Sequence, residues 1–263
     1  MRKTIIAAVL CLGIGLATPL FALDSEVVIL TYHSFLGSGT SSLDFSIAEF
    51  AKQLDDFSAL GYHFVSMSDI LSGSVTGRNN ILVTIDDGNH SVAKAYTEVL
   101  APRSIRPALF IYPSVIGRSK FSLTREVLRK LSDDGCDIAA HGFYHEYLTP
   151  KAFAANPAKC RIEIERPAKA IADITGKPVL TFGYPFGVGS PEAERLLADQ
   201  GYTWAFLAGN TLAPVDFSST SLDHYAVPRT IVYRWNIKFI LASLAKRAEA
   251  AEAARATSKK PQI

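Results

Sequence analysis

Apolar and polar positions alternate in two rhythms along this chain. Val27–Thr31 and Ile81–Ile85 are short unbroken runs of aliphatic and β-branched residues. Runs of that kind predict strands buried on both faces, as in a parallel sheet. Between them, Ile47, Phe50, Leu54, Phe57 and Leu60 fall at helical spacing within Ser46–Leu60, which Gly61 ends. The same reading predicts strands over Phe64–Met67, Pro107–Tyr112, Asp137–Ala140, Val179–Tyr184 and Thr203–Leu207. Helices are predicted over Asn89–Leu100, Ser122–Asp134, Pro157–Ile174 (kinked at Pro167) and Pro191–Gln200. Asn89 or Ser91 can cap the first of these. Tyr225–Tyr233 reads as extended and Asn236–Ala248 as helical, and the charged, Ala-rich stretch from Glu249 is expected to fray. Strands and helices thus alternate from end to end without a linker-like break. The pattern predicts one α/β domain with a parallel sheet and crossover helices, and seven or eight strands in ~240 residues suit a barrel.

Composition changes this picture at the start of the chain. Arg2 and Lys3 precede an apolar run from Ile5 to Ala17, and Ala22 closes a region of small residues. Residues 1–22 read as a secretory signal peptide, in preference to an uncleaved membrane anchor. Export and cleavage near Ala22 are expected, giving a secreted or periplasmic protein with no membrane contact afterwards. Losing Arg2 and Lys3 takes the formal net charge from +2 to 0. A neutral chain offers no electrostatic reason to bind nucleic acid or anionic lipid. Cys136 and Cys160 lie beyond this segment and outside any C-x-x-C pair; free burial is preferred over a disulfide.

Candidate chemistry collects at strand ends, where parallel α/β folds place their sites. Asp86-Asp87-Gly88 ends one strand, His33 follows another, His141 and His145 a third, and Tyr184-Pro185-Phe186-Gly187 a fourth. Each has a plain structural alternative: an Asp-Gly turn, a packed histidine at 33, a rigid Pro-Gly turn. Neighbouring strand residues face opposite ways, so Asp86 and Asp87 need not share a task. If Gly142 opens a helical turn, His141 and His145 share a face and can bind one metal. With an aspartate from another strand end they would offer two nitrogens and one oxygen, leaving positions open for water and substrate. His63, His90 and His224 match no pattern, and Trp204 and Trp235 are expected in the core.

Thr84-Ile85-Asp86-Asp87-Gly88 resembles the T-F-D-D-G motif of the NodB-homology polysaccharide deacetylases, carbohydrate esterase family 4. His141–His145 followed by Leu148 is similar to their H-[ST]-x-x-H-x-x-L motif, and Tyr184–Gly187 to their third motif. The resemblance spans roughly residues 27–230. It implies a distorted (β/α) barrel of about seven strands, with residues 23–248 as the deacetylase domain and 249–263 as a flexible tail. It implies that Asp87, His141 and His145 bind a divalent metal, most often zinc. Asp86 would be the general base and the Phe186 N–H an oxyanion donor. The chain departs from the family in four places. Gly183 stands where an arginine opens the third motif, Gly142 replaces Ser or Thr, and the aspartate-tryptophan motif is absent. The C-terminal L-x-x-H that carries the general acid is missing too, yet Leu30-Thr31-Tyr32-His33 fits it at the other end of the chain. That displacement resembles the circularly permuted, secreted poly-N-acetylglucosamine de-N-acetylases of biofilm systems, and makes His33 the general acid. The implied partners are an N-acetylated polysaccharide and exopolysaccharide export machinery.

The resulting expectation is metal-dependent removal of N-acetyl groups from an exported N-acetylhexosamine polymer. Two rivals remain at this point. One is an O-acetyl esterase or small-amide hydrolase on the same scaffold. The other is a noncatalytic glycan-binding module, which the retention of Asp86 and all three metal ligands argues against.

Overall fold

The computed structural model describes residues 25–258; the predicted signal segment lies outside them. Among the described residues nine strands form one sheet. In chain order they are β1 (Ser25–Tyr32), β2 (His63–Val65), β3 (Gly77–Asp86), β4 (Ala108–Ile111) and β5 (Asp137–Ala140). β6 (Thr181–Gly183), β7 (Trp204–Phe206), β8 (Pro214–Asp216) and β9 (Thr230–Ile231) complete the set. The main path runs β7-β6-β5-β4-β3-β1-β8. Every neighbouring pair from β1 to β7 on that path is parallel.

The last stretch of chain carries the sheet round towards its beginning. β9 pairs in parallel with β1, while parallel bridges join Phe206 to Val227 and Gly209 to Thr230. β1, β3, β4, β5, β6, β7 and the segment around β9 therefore form a ring of seven parallel members, the distorted barrel expected from the sequence.

Side chains on either face of β1 and β3 belong to two separate cores, as period-2 alternation requires. Val27, Ile29 and Leu82 pack with Phe110, Ala139, Phe206 and Val227 inside the curl. Val28, Leu30, Ile81, Val83 and Ile85 pack outward under the helices. Burial on both faces explains why these strands read as continuous apolar runs. The helix Ile47–Ala59 starts at Ser46, whose hydroxyl accepts from Glu49 N–H while the Glu49 carboxylate accepts from Ser46 N–H.

Several elements differ from expectation. The stretch after β3 is α-helical only over Ser91–Ala95 and continues as a π-helix over Tyr96–Leu100. Pro167 splits the long predicted helix into Pro157–Glu165 and Pro167–Thr175, because proline lacks the N–H that would continue the ladder. The final helix runs from Ile237 to Ser258 and so takes in part of the stretch from Glu249. Cys136 and Cys160 are buried free thiols. Trp235, expected in the core, is 63% exposed and stacks on Tyr233. Among the described residues no helix is long and apolar enough to cross a membrane.

Candidate active site

β3 delivers both aspartates, but the backbone separates them. Asp86 is the last strand residue and shares the inward face with Thr84; its side chain is buried. Asp87 turns into the left-handed region at φ 72°, and Gly88 follows at φ 73°. The left-handed backbone favours glycine at 88, and a β-carbon there would press on the ends of the Ile111 and Ile116 side chains at 3.0 and 3.3 Å.

Asp86 is held by Arg229, a residue the sequence reading did not single out. Arg229 Nη1 donates to Asp86 Oδ1 at 2.7 Å and Nη2 to Oδ2 at 2.9 Å. The guanidinium is fully buried, lies 4.4 Å from the Phe110 ring centroid, and donates through Nε to the Leu207 carbonyl. Burial is the largest influence and would raise the Asp86 carboxyl, but the charge and hydrogen bonds of Arg229 together with His141 and His33 hold the group below the ordinary carboxylate value. The arginine missing at position 183 is thus matched by one arriving 46 residues later in the chain. Gly183 leaves the room: a β-carbon there would meet Phe110 at 2.6 Å and Arg229 Nη2 at 3.2 Å. One signal was available, a lone cation inside the apolar run Val227–Val232.

His141 follows β5 and is buried. Its Nδ1 lies 2.7 Å from the Gly183 carbonyl. A carbonyl only accepts, so the proton sits on Nδ1 and the Nε2 lone pair is left free. That Nε2 is 3.6 Å from Asp86 Oδ2 and 3.7 Å from Asp87 Oδ1. His145 Nε2 is 3.3 Å from the same Asp87 oxygen. The two histidines do not lie on a helical turn. Residues 141–148 form an irregular loop with Gly142 at φ 74° and His145 at φ 65°. The i, i+4 spacing brings the rings together, with centroids 4.8 Å apart, by a different backbone route.

Donor atoms of Asp87, His141 and His145 all lie within 4.8 Å of one another. The chemistry of this trio fits a divalent cation. Asp87 Oδ1 is shielded and has no hydrogen-bond partner, although its side chain as a whole is partly exposed. Burial pushes the Asp87 carboxyl up to about 6; His33 draws it down and the Asp86 charge adds to the rise. Burial likewise pushes His141 down to about 3 and lowers His145, so both imidazoles are neutral and able to donate lone pairs. An unpartnered anionic oxygen facing two neutral nitrogens is a place prepared for positive charge.

His33 and Asp87 line one cavity of about 310 Å³, together with Leu43, Asn89 and Tyr112. Nδ1 of His33 is buried without a partner. The loop that carries it is pinned by Ser34 Oγ donating to Asp44 and Phe35 N–H donating to Ser91 Oγ, each at 2.8 Å. Phe186, in the turn after β6, lies at φ 59° with its ring 4.5 Å from that of His145. Four non-glycine residues have positive φ among those described, and Asp87, His145 and Phe186 are three of them. Strain of this kind collects where function over-determines the backbone. By contrast His224 stacks on Trp204 at 3.9 Å, at the first residue of β7 and so at the opposite end of the barrel.

A family model described as polysaccharide deacetylase matches residues 73–205. A bifunctional xylanase/deacetylase of Pseudobutyrivibrio xylanivorans is 27% identical over an alignment of 124 positions that covers 44% of this chain and 19% of that protein. The matched part thus spans less than two thirds of that relative's length. Among solved structures, IcaB from Ammonifex degensii is 26% identical with a TM-score of 0.72, covering 85% of this chain and 98% of that one. A polysaccharide deacetylase from Bacillus cereus shares the fold at 18% identity and a TM-score of 0.69, covering 84% of this chain and 69% of that one. So does the Streptococcus pyogenes deacetylase PplD in complex with acetate, at 15% identity and 0.70, covering 84% and 99%.

Proposed function

Because this chain belongs to the polysaccharide deacetylase family, we propose that it is a metal-dependent hydrolase removing N-acetyl groups from an exported N-acetylhexosamine polysaccharide. The observation that carries the reading is the meeting of two kinds of group at one end of the barrel. An ionised, arginine-held carboxylate at Asp86 lies beside the Asp87–His141–His145 trio.

The trio would hold the cation, and zinc suits two imidazoles and one carboxylate. A divalent cation bound there supplies Lewis acidity towards the acetyl carbonyl and lowers the pKa of water. Asp86 takes the proton of the attacking water. Its low pKa makes it a weak base, so its contribution is an acceptor oriented by two guanidinium bonds rather than strong basicity. The Phe186 N–H, in the turn after β6, would donate to the developing oxyanion. His33 protonates the departing amine, and acetate and a free amino sugar result. Action outside the cytoplasm rests on residues 1–22, and contact with export machinery on that same export.

The testing experiment is acetate release from a panel of N-acetylated and O-acetylated glycans, with and without chelator. Release from N-acetylglucosamine polymers that stops on chelation supports the reading. Release confined to O-acetyl esters would replace it with an esterase.

A further inference from the structure

The loop between the two histidines closes on a buried carboxylate from another element. Glu163, in the helix Pro157–Glu165, is fully buried. Its Oε2 accepts from Phe143 N–H at 2.9 Å, Tyr144 N–H at 3.1 Å and Glu146 N–H at 3.2 Å, and its Oε1 accepts from Tyr144 N–H at 3.0 Å. A ring of main-chain donors around one carboxylate makes an anion-binding concavity, here filled by the protein's own side chain. The same oxygen occupies the space beside Gly142. A β-carbon there would lie 2.5 Å from Glu163 Oε2 and 3.1 Å from Pro185. Lys159, one turn earlier on that helix, ties the loop a second time through Glu146 Oε1 at 2.7 Å.

These contacts surround His145, whose φ of 65° is unfavourable for a residue with a β-carbon. Without an outside anchor, a loop of this kind would relax and carry the His145 ring away from Asp87. We infer that Glu163 is a positioning residue for the metal site, holding the 142–146 loop in the one conformation that brings His145 beside Asp87 and His141. The inference rests on the reading of that trio as a metal site. It assigns a task to a carboxylate that itself touches neither the cation nor the substrate.

The test compares wild type with Glu163→Ala, Glu163→Gln and Gly142→Ala. Zinc affinity is measured by calorimetry, folding by circular dichroism, and hydrogen exchange at the amides of residues 143, 144 and 146. Gln keeps one acceptor oxygen and should bind zinc within about threefold of wild type; Ala removes both acceptors and should weaken binding by ~10–100-fold, the scale of losing an outer support of a metal ligand. Gly142→Ala crowds the carboxylate and also strains the left-handed backbone at φ 74°, so it should weaken zinc binding at least as much as Glu163→Ala, with faster exchange at the three amides. Wild-type zinc affinity in folded Glu163→Ala or in Gly142→Ala would overturn the inference and leave Glu163 a fold-stabilising residue only. If Glu163→Ala does not fold, Gly142→Ala decides alone. Failure of the wild-type protein to bind zinc would instead remove the metal reading beneath it.

Discussion

Arg229 meets Asp86 through two parallel bonds of 2.7 and 2.9 Å, with both side chains buried. Removing one member of such a pair leaves an uncompensated buried charge. Arg229→Ala is expected to destabilise the fold by about 3–5 kcal/mol. Arg229→Lys retains the charge but not the fork, so it should fold better than Ala yet turn over poorly. Denaturant titrations and acetate release on all three proteins test this. Wild-type turnover in Arg229→Lys would show that the two-bond geometry does not matter for Asp86.

Metal removal should abolish activity and leave the fold in place. Neither apolar cluster includes Asp87, His141 or His145, so the barrel core is expected to form without the metal. Chelation should therefore stop acetate release, added zinc should restore it, and circular dichroism should stay unchanged throughout. Stoichiometric zinc in a His141→Ala, His145→Ala double variant would sink the ligand assignment.

Asp44 gives the loop around His33 a pH-dependent anchor. Its carboxylate accepts from Ser34 Oγ, from Leu36 N–H and from both the N–H and Oγ of Ser38. Burial would raise its carboxyl, but these bonds outweigh burial and hold it below its ordinary value of 3.8. A depressed folded pKa means that the stabilisation is full above the unfolded value and is lost as pH falls through the folded one. Asp44→Asn should cost about 1–3 kcal/mol at neutral pH. The gap between the two proteins should close as pH drops below 3.8. A gap independent of pH, followed by thermal melting from neutral pH downwards, would rule out the carboxylate form as the anchor.

The strand-end residues were legible because burial on both faces leaves a chemical signature: continuous apolar runs that stop at polar residues. That pattern by itself points to Asp86, Asp87, His33 and His141. Ring closure also accounts for L-x-x-H at the start of the chain, since β1 lies between β3 and β9 whichever end of the chain it occupies. Arg229 and Glu163 were not legible in the same way. Each acts on a site residue distant in sequence, and nothing local to them states the partner. A charge flanked by aliphatic neighbours, as in Ile162-Glu163-Ile164, marks a buried ion but not its purpose. The helical-turn argument expected His141 and His145 to share a face; the structure brings their rings together by a loop instead. Spacing alone does not distinguish a helix from a loop folded around a carboxylate.

His33 separates a packed histidine from a general acid, because the two roles give opposite results. It lines the cavity beside Asp87, and its buried Nδ1 has no partner, which a purely structural histidine would be expected to have. His33→Ala should therefore fold and bind zinc as wild type does. Turnover of an N-acetylated glycan should fall by ~10²–10⁴-fold, the range for a lost proton donor. The defect should shrink on an activated aryl acetate, whose leaving group departs without a proton. Asp86→Asn, by contrast, should abolish nearly all activity on either substrate. Near-normal turnover of the glycan by His33→Ala would reduce Leu30-Thr31-Tyr32-His33 to a strand end. His224 could not then take over, since it stacks on Trp204 at the far end of the barrel. The proton would have to come from solvent or from a group on the substrate, and a solvent isotope effect larger in the variant than in wild type would identify that route.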